Sequence, residues 1–283
     1  DNRALTVTGL TVVGPNSGAA DQATLTCNAS DITLGAAVTS GYALEVKRGG
    51  TFDGGSGTHT TGALKVTTDS NAEAKLDLTS GTHVISSEYT SDDRFFELTS
   101  GTVTHSNGTI LLNAALTSGI QWLGPAGDAG PYNLTLSHAS NTTKIRNALT
   151  VLNNLTITSG TFNTQYDGSD KNLTLTGGRI SVSGTLLLNN STVLLSDTGS
   201  ELYCSNSGTV TCGDTNLTVN AVSIGQGAFT APSASGSFII TGEKSNLAFD
   251  YDGNQFIHNS GTIDIRTQDT TLIDFTPNDA AHI

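Results

Sequence analysis

The amino-acid sequence predicts an all-β fold, a right-handed parallel β-solenoid whose turns take roughly 24 residues each. Three observations support it: apolar residues alternate with others over short stretches, turn residues separate these stretches, and one tripeptide recurs at a fixed interval. Successive residues of a strand face opposite sides, so each alternating stretch is a short strand with one buried face. Threonine, the commonest residue, suits such a pleated surface.

Triplets with two apolar residues around one intervening residue are densest between Asn172 and Gly213. Gly-Gly, Ser-Gly, Asn-Asn and Gly-Asp fill the gaps, and these are turn sequences. Most triplets begin seven to nine residues after the previous one, so three strands with their turns take about two dozen residues. The predicted core includes Phe162, Leu173, Leu175, Ile180, Val182, Leu186, Leu188, Cys204, Val210 and Cys212.

The tripeptide Ser-Gly-Thr is an independent marker of the same period. The steps from Ser56 to Ser80, from Ser159 to Ser183 and from Ser183 to Ser207 are each 24 residues. At this period each turn would pair its backbone with the turns above and below it, about 4.8 Å away. A β-sandwich built of repeats is the alternative, since short alternating strands also suit sandwiches. A sandwich gives no reason for a tripeptide at a fixed period, which favours the solenoid.

The whole chain, 1–283, is predicted to be a single elongated solenoid with two similar halves, 1–117 and 134–283, joined by an irregular insert, 118–133. Each half begins with an Ala-Leu-Thr-Val phrase. Marker intervals that miss 24 residues, such as that from Ser207 to Ser260, predict bulged or enlarged turns. Because the chain contains no methionine, we expect a processed unit or an excerpt of a longer repetitive protein.

The phrases "NNLTITSGTF", "KNLTLTGGRI" and "GAFTAPSASGSFIITG" resemble the repeats of very long Gly/Thr/Asn-rich surface proteins of bacteria and of phage fibre or appendage proteins. The broader likeness is to parallel β-helix passengers and filamentous adhesins. This resemblance covers most of the chain, and it rests on repeated phrases of similar amino-acid composition. The resemblance implies an extracellular structural or adhesive protein built from tandem units, and it implies no catalytic residue, because these families share no catalytic motif.

Charge restricts the partners of the protein. The formal net charge is −13, from 25 acidic and 12 basic residues. An acidic surface repels phosphate, so anionic membranes are poor partners and no nucleic acid is expected as a partner. No apolar run is long enough for a transmembrane helix, so no membrane insertion is expected. The expected partners are copies of the chain stacked end to end, and glycans or a host surface, with the protein at the cell surface or the virion surface.

Cys204 and Cys212 each take the second place of an apolar triplet, which predicts that they face inward as small hydrophobic side chains. Unpaired buried thiols are the favoured interpretation. A disulfide between Cys204 and Cys212 is the main alternative.

Two groups of side chains are candidate metal ligands. His59 and His83 lie 24 residues apart, each after Gly-Thr, so they could stack as a metal-binding ladder. A polar stack at a turn or strand edge is the plainer interpretation. Asp250 and Asp252 begin a stretch faintly like a calcium loop, without the distal glutamate of an EF-hand. Solvated turn acids are the favoured interpretation, so no cofactor is expected, and Ca²⁺ is the alternative.

Trp122 and Tyr132 are candidate sugar-binding residues, because a loop carrying both could offer a stacking platform. The alternative is an aromatic side chain that covers the core where the coil is interrupted.

The sequence as a whole favours a non-enzymatic extracellular structural protein, a rod-like building block of a filament, a surface adhesin or a virion fibre or appendage. The first alternative is a polysaccharide-degrading β-helix enzyme, a lyase or hydrolase with carboxylates along one face. The second alternative is a carbohydrate-binding module.

Overall fold

A computed structural model describes residues 4–15, 22–68, 73–91, 93–115, 118–122, 130–195, 197–205, 207–252, 255–267 and 272–275. Over these ranges the chain is all-β without a helix, and parallel strands stack as a β-solenoid of about 10 turns with ~24-residue spacing. The predicted fold class is confirmed, and the sandwich alternative is wrong, because stacked strands pair in parallel. The right hand of the coil stays a prediction. No helix in the described ranges is long and apolar enough to cross a membrane.

The chain divides into two compact units, Asp1–Asn141 and Thr142–Ile283. The Ala-Leu-Thr-Val phrases supply β1 in the first unit and β16 in the second. The first residues of the predicted insert form a regular strand, Ser118–Trp122, which pairs in parallel with the strand Arg94–Leu98. Residues 123–129, the centre of that insert, lie outside the described residues.

The strands that begin in the first unit are β1 (Leu5–Val7), β2 (Thr11–Val13), β3 (Ala23–Thr26), β4 (Ile32–Leu34), β5 (Leu44–Lys47), β6 (Gly50–Asp53), β7 (His59–Thr61), β8 (Leu64–Thr67), β9 (Lys75–Asp77), β10 (Thr82–Ile85), β11 (Arg94–Leu98), β12 (Thr102–Thr104), β13 (Thr109–Leu112), β14 (Ser118–Trp122) and β15 (Asn133–Ile145). They stack in three columns. Column A consists of β1, β4, β7, β10, β13 and β15. Column B consists of β2, β5, β8, β11 and β14, and column C of β3, β6, β9 and β12.

The strands of the second unit are β16 (Leu149–Val151), β17 (Leu155–Asn163), β18 (Gln165–Tyr166), β19 (Ser169–Asp170), β20 (Leu173–Leu175), β21 (Arg179–Val182), β22 (Thr185–Leu187), β23 (Thr192–Leu195), β24 (Glu201–Cys204), β25 (Thr209–Thr211), β26 (Asn216–Val219), β27 (Ala221–Ile224), β28 (Ala228–Thr230), β29 (Ser237–Ile240), β30 (Leu247–Tyr251), β31 (Gln255–Ile257), β32 (Ile263–Ile265) and β33 (Leu272–Phe275). Column D consists of β16, β20, β23, β26, β29 and β32. Column E consists of the first part of β17 with β21, β24, β27, β30 and β33. Column F consists of the last part of β17 with β22, β25, β28 and β31, while β18 and β19 form an antiparallel hairpin.

The core of each unit lies between its three columns. All ten residues predicted as core in the second unit have 0% exposure: Phe162, Leu173, Leu175, Ile180, Val182, Leu186, Leu188, Cys204, Val210 and Cys212. Full burial of a large apolar side chain stabilises a fold by about 1.5–3 kcal/mol. One short strand contributes only one or two such residues, so each turn depends on its neighbours.

The Ser-Gly-Thr marker has a steric cause. A Cβ on Gly208 would lie 2.2 Å from the carbonyl oxygen of Val182, and one on Gly184 would lie 2.5 Å from that of Gly160. Backbone of the adjacent turn therefore occupies the space of a side chain, and only glycine fits.

The interval from Ser207 to Ser260 has a different explanation from the one predicted. The marker at Ser207 precedes β25 in column F, whereas the marker at Ser260 precedes β32 in column D. The marker has moved to another column, so the interval need not be a multiple of the turn length. Enlarged turns do occur elsewhere: Thr11 pairs with Leu44, 33 residues later, whereas Leu44 pairs with Leu64, only 20 residues later.

Candidate functional site

Two long connections between columns A and B distinguish the first unit. Residues 35–43 join β4 to β5, and residues 86–93 join β10 to β11. The same connection takes only residues 8–10 and 62–63 in the first and third turns. Solenoid side loops that exceed the repeat are where binding residues are normally carried.

Hydrogen bonds tie the two connections together across the intervening turn. Ser86 Oγ donates to the carbonyl of Ala36 at 2.8 Å, and Ser87 Oγ donates to that of Val38 at 2.8 Å. Thr90 Oγ1 and the Thr90 amide both donate to the carbonyl of Thr39, at 3.0 and 3.1 Å. The connections therefore form one ordered structure on the side of the coil.

This structure covers a charged ladder on the outer face of column B. Glu45, Lys65 and Glu97 are aligned partners in three successive turns. Glu97 points away from the core, yet it is only 4% exposed.

The buried Glu97 carboxylate has three partners. It accepts hydrogen bonds from the Tyr42 hydroxyl and the Arg94 guanidinium, and Lys65 Nζ lies 3.2 Å from Glu97 Oε1. Burial alone would raise the pKa of Glu97, but these hydrogen bonds and positive charges outweigh it and lower the pKa. Lys65 also lies over the Tyr42 ring, 5.1 Å from its centroid. The cluster holds Tyr42 and Lys65 in fixed positions.

A groove of about 570 Å³ runs beside this cluster. We call it the lateral groove, and its lining residues are Gly9, Leu10, Val38, Ser40, Gly41, Tyr42, Glu45, Lys65 and Tyr89. The Tyr42 and Tyr89 rings meet edge to face, with centroids 5.0 Å apart. The groove thus combines tyrosine and aliphatic side chains with one carboxylate and one ammonium group.

Glu88 lies in the connection 86–93 and is 4% exposed. Its Oε2 atom has no hydrogen-bond partner among the described residues. Burial and the neighbouring charge of Asp93 raise the pKa of Glu88 to about 7. Glu88 and Glu97 are therefore buried acids of one region with opposite pKa shifts.

His59 and His83 do stack as aligned partners in β7 and β10, but on the inner face of column A. Both have 0% exposure, and their rings meet edge to face at 5.7 Å. His83 Nε2 lies 3.0 Å from Thr61 Oγ1, and His83 Nδ1 has no hydrogen-bond partner among the described residues. A turn or strand edge is thus the wrong location for the pair. The described residues contain no cluster of three or more His, Cys, Asp or Glu side chains suited to a metal.

Trp122 lies in β14 and is 6% exposed, with its ring stacked on Phe96 at 4.6 Å. An indole buried in this way has no open face for a sugar. Tyr132 is partly exposed and stacks on His105, with ring centroids 5.3 Å apart. Trp122 is thus part of the core, which agrees with the alternative interpretation of an aromatic side chain that covers the core.

Asp250 lies on β30, where it is aligned with Ser223 and Asp274 of the neighbouring turns. Burial raises the pKa of Asp250, and the charges of Asp252 and Asp274 add to this, against a hydrogen bond from Ser223 at 3.2 Å. Asp252 is exposed, and residues 253 and 254 of the predicted calcium loop lie outside the described residues.

Cys204 and Cys212 are both free and buried. Burial raises the pKa of Cys204 to about 11 and that of Cys212 still further, so both remain unreactive thiols at neutral pH.

The lateral groove and its supporting cluster were not predicted from the sequence. The available signal was spacing, because the gaps 35–43 and 86–93 are longer than the equivalent gaps 8–10 and 62–63 of the first and third turns. Comparison with known proteins adds no relative: no family model, no curated protein and no solved structure matches the chain.

Proposed function

We propose that this chain is a non-enzymatic extracellular structural protein, a building block of a filament, a surface adhesin or a virion fibre or appendage. The observation that carries the proposal is the exposure of apolar core positions on the outermost strands. Another turn stacked on these strands would bury such positions.

Leu5 and Ile273 occupy inward positions of their columns. Leu5 is 43% exposed, whereas its aligned partner Ile32 in the next turn is 4% exposed. Ile273 is 57% exposed, and its partner Phe249 is 2% exposed. Among the described residues, β1 and β33 each pair with a strand on one side, so one row of backbone donors and acceptors on each is available for pairing.

Stacking of a second copy on these strands would continue the backbone ladder and bury the exposed residues. A contact between β1 of one copy and β33 of the next is heterologous, because the two strands are different surfaces, so it can be repeated from copy to copy. The proposed function is mechanical. The copies form long assemblies whose surface is rich in Thr, Ser and Asn and carries few charged residues.

Self-association in solution tests the proposal. Sedimentation velocity of the wild-type chain should show larger species as its concentration rises, and electron microscopy should show end-to-end arrays. The double variant Leu5→Asp/Ile273→Asp should weaken association by about tenfold or more, since it would bury carboxylates in the contact.

The matched control is Leu194→Asp, which changes a 36% exposed leucine in β23, between strands β20 and β26 of column D. It should associate like the wild type. A wild-type chain that stays monomeric at every concentration, or a double variant that associates as well as Leu194→Asp, would contradict the proposal.

A further inference from the structure

The lateral groove is built on a rigid floor. Glu45 and Lys65 lie on β5 and β8, and β5 pairs with strands on both of its sides. Its wall, the connection 35–43, is fixed by hydrogen bonds to the connection 86–93, which carries Tyr89. A binding surface of this kind needs little ordering when a ligand arrives, which favours affinity.

The floor cannot bind an extended peptide as an added strand. Strand addition needs a free sheet edge, and the backbone groups of β5 and β8 are already engaged with neighbouring turns on both sides. Recognition in the groove must therefore come from side chains.

Those side chains combine apolar surface with hydrogen-bonding groups of both kinds. Tyr89 is half-buried and Leu10 is 51% exposed, so each offers apolar surface to the groove. Glu45 supplies acceptors, while Lys65 and Ser40 supply donors. A sugar ring has the matching chemistry, because its C–H groups form an apolar face and its hydroxyls donate and accept around the rim.

We infer that the lateral groove is a binding site for a neutral oligosaccharide. Its volume of about 570 Å³ lies within the range of small-ligand sites. The carboxylate of Glu45 pairs with Lys47 at 3.5 Å, and the ammonium of Lys65 pairs with Glu97 at 3.2 Å, so both charges of the groove are balanced. The chain as a whole carries −13, so an anionic polymer is disfavoured. The inference does not depend on end-to-end assembly.

Titration calorimetry with cellotetraose, maltotetraose, mannotetraose and chitotetraose tests the site, with tetragalacturonate as the anionic comparison. At least one neutral sugar should bind, and Tyr89→Ala should weaken that binding by about tenfold through loss of the ring surface. Glu45→Gln keeps the size of the side chain and should also weaken binding, because it exchanges a charged acceptor for a neutral one.

Tyr166→Ala is the matched control, since Tyr166 is a half-buried tyrosine of the second unit with a cationic partner, Arg146. It should leave binding unchanged. No heat from any neutral sugar at about 10 mM would overturn the inference, since a Kd above that concentration corresponds to less than about 3 kcal/mol of binding free energy. Equal binding by Tyr89→Ala, Glu45→Gln and the wild type would also overturn it, as would a preference for tetragalacturonate.

Discussion

His59 and His83 are polar residues in a column position that is otherwise apolar. The aligned inward residues of column A are Leu5, Ile32, His59, His83, Ile110 and Leu134. Burial lowers the pKa of His83 to about 3, and it also lowers the pKa of His59. The folded protein therefore keeps both imidazoles neutral where the unfolded chain would bind protons.

This pair should make the protein sensitive to acid. Between pH 6.5 and about 3 the unfolded chain binds a proton that folded His83 excludes, so stability falls as the pH is lowered through that window. The slope is about 1.4 kcal/mol per pH unit for each such proton. His83→Leu should flatten the pH dependence of urea unfolding between pH 6.5 and 4, and substitution of the exposed His258 by Gln should not. An unchanged slope in His83→Leu would contradict the burial of this residue.

Glu88 should have the opposite effect on pH dependence. Its pKa is raised from 4.5 to about 7, so the folded protein holds a proton that the unfolded chain has released, and stability falls as the pH rises from about 4.5 to 7. Glu88→Gln mimics the protonated acid and should raise the melting temperature at pH 8 while leaving it nearly unchanged at pH 4. A lower melting temperature at pH 8 would mean that the charged carboxylate has a stabilising partner.

At the scale of elements, the glycine of the marker sets how closely successive turns approach. Gly208→Ala places a methyl group against the carbonyl of Val182 and should cost about 1–3 kcal/mol of unfolding free energy. Gly9→Ala is the control, because a Cβ there meets nothing within 4 Å. Chemical denaturation of both variants measures the difference, and equal stabilities would show that turns are not this close at Gly208.

The strands and their buried faces were predictable, because alternate residues of a strand point to the same side and the apolar residues mark the buried side. The marker could have placed the histidines as well, because the residue after Ser-Gly-Thr is Phe162, Leu186 or Val210 in column F and His59 or His83 in column A. This slot is buried in five of the seven markers, and it is half-buried in the other two, at Val103 in column C and Ile263 in column D. The polarity of the two histidines suggested a turn or a strand edge, but their position after the marker places them on the inner face of column A.

The long connections could not be predicted, because their order comes from contacts between residues about fifty positions apart. Ser87 donates a hydrogen bond to Val38, and Tyr42 donates one to Glu97, and no local sequence pattern links the members of either pair.

The position of Trp122 was also not predicted from its local sequence. Pro and Gly after it suggested an irregular loop, whereas its alignment with Leu98 of the preceding turn places it in a strand.

At the scale of the whole molecule, each unit is stabilised by shared layers. Inward residues about 24 positions apart contact one another, so the free energy of folding comes from turn-to-turn interfaces, as in other repeat architectures. The proposed assembly through the outermost strands would extend the same principle from turns to copies, and the proposed binding at the lateral groove would leave the stack undisturbed.

Nuclear Overhauser contacts between backbone protons test the turn-to-turn pairing most directly. Thr185 and Thr209 are aligned parallel partners 24 residues apart, and so are Leu149 and Leu173. Cross-strand contacts in the parallel pattern should join both pairs and continue along columns D and F. Antiparallel contacts between strands consecutive in sequence, such as β20 with β21, without contacts at the 24-residue separation, would contradict the solenoid.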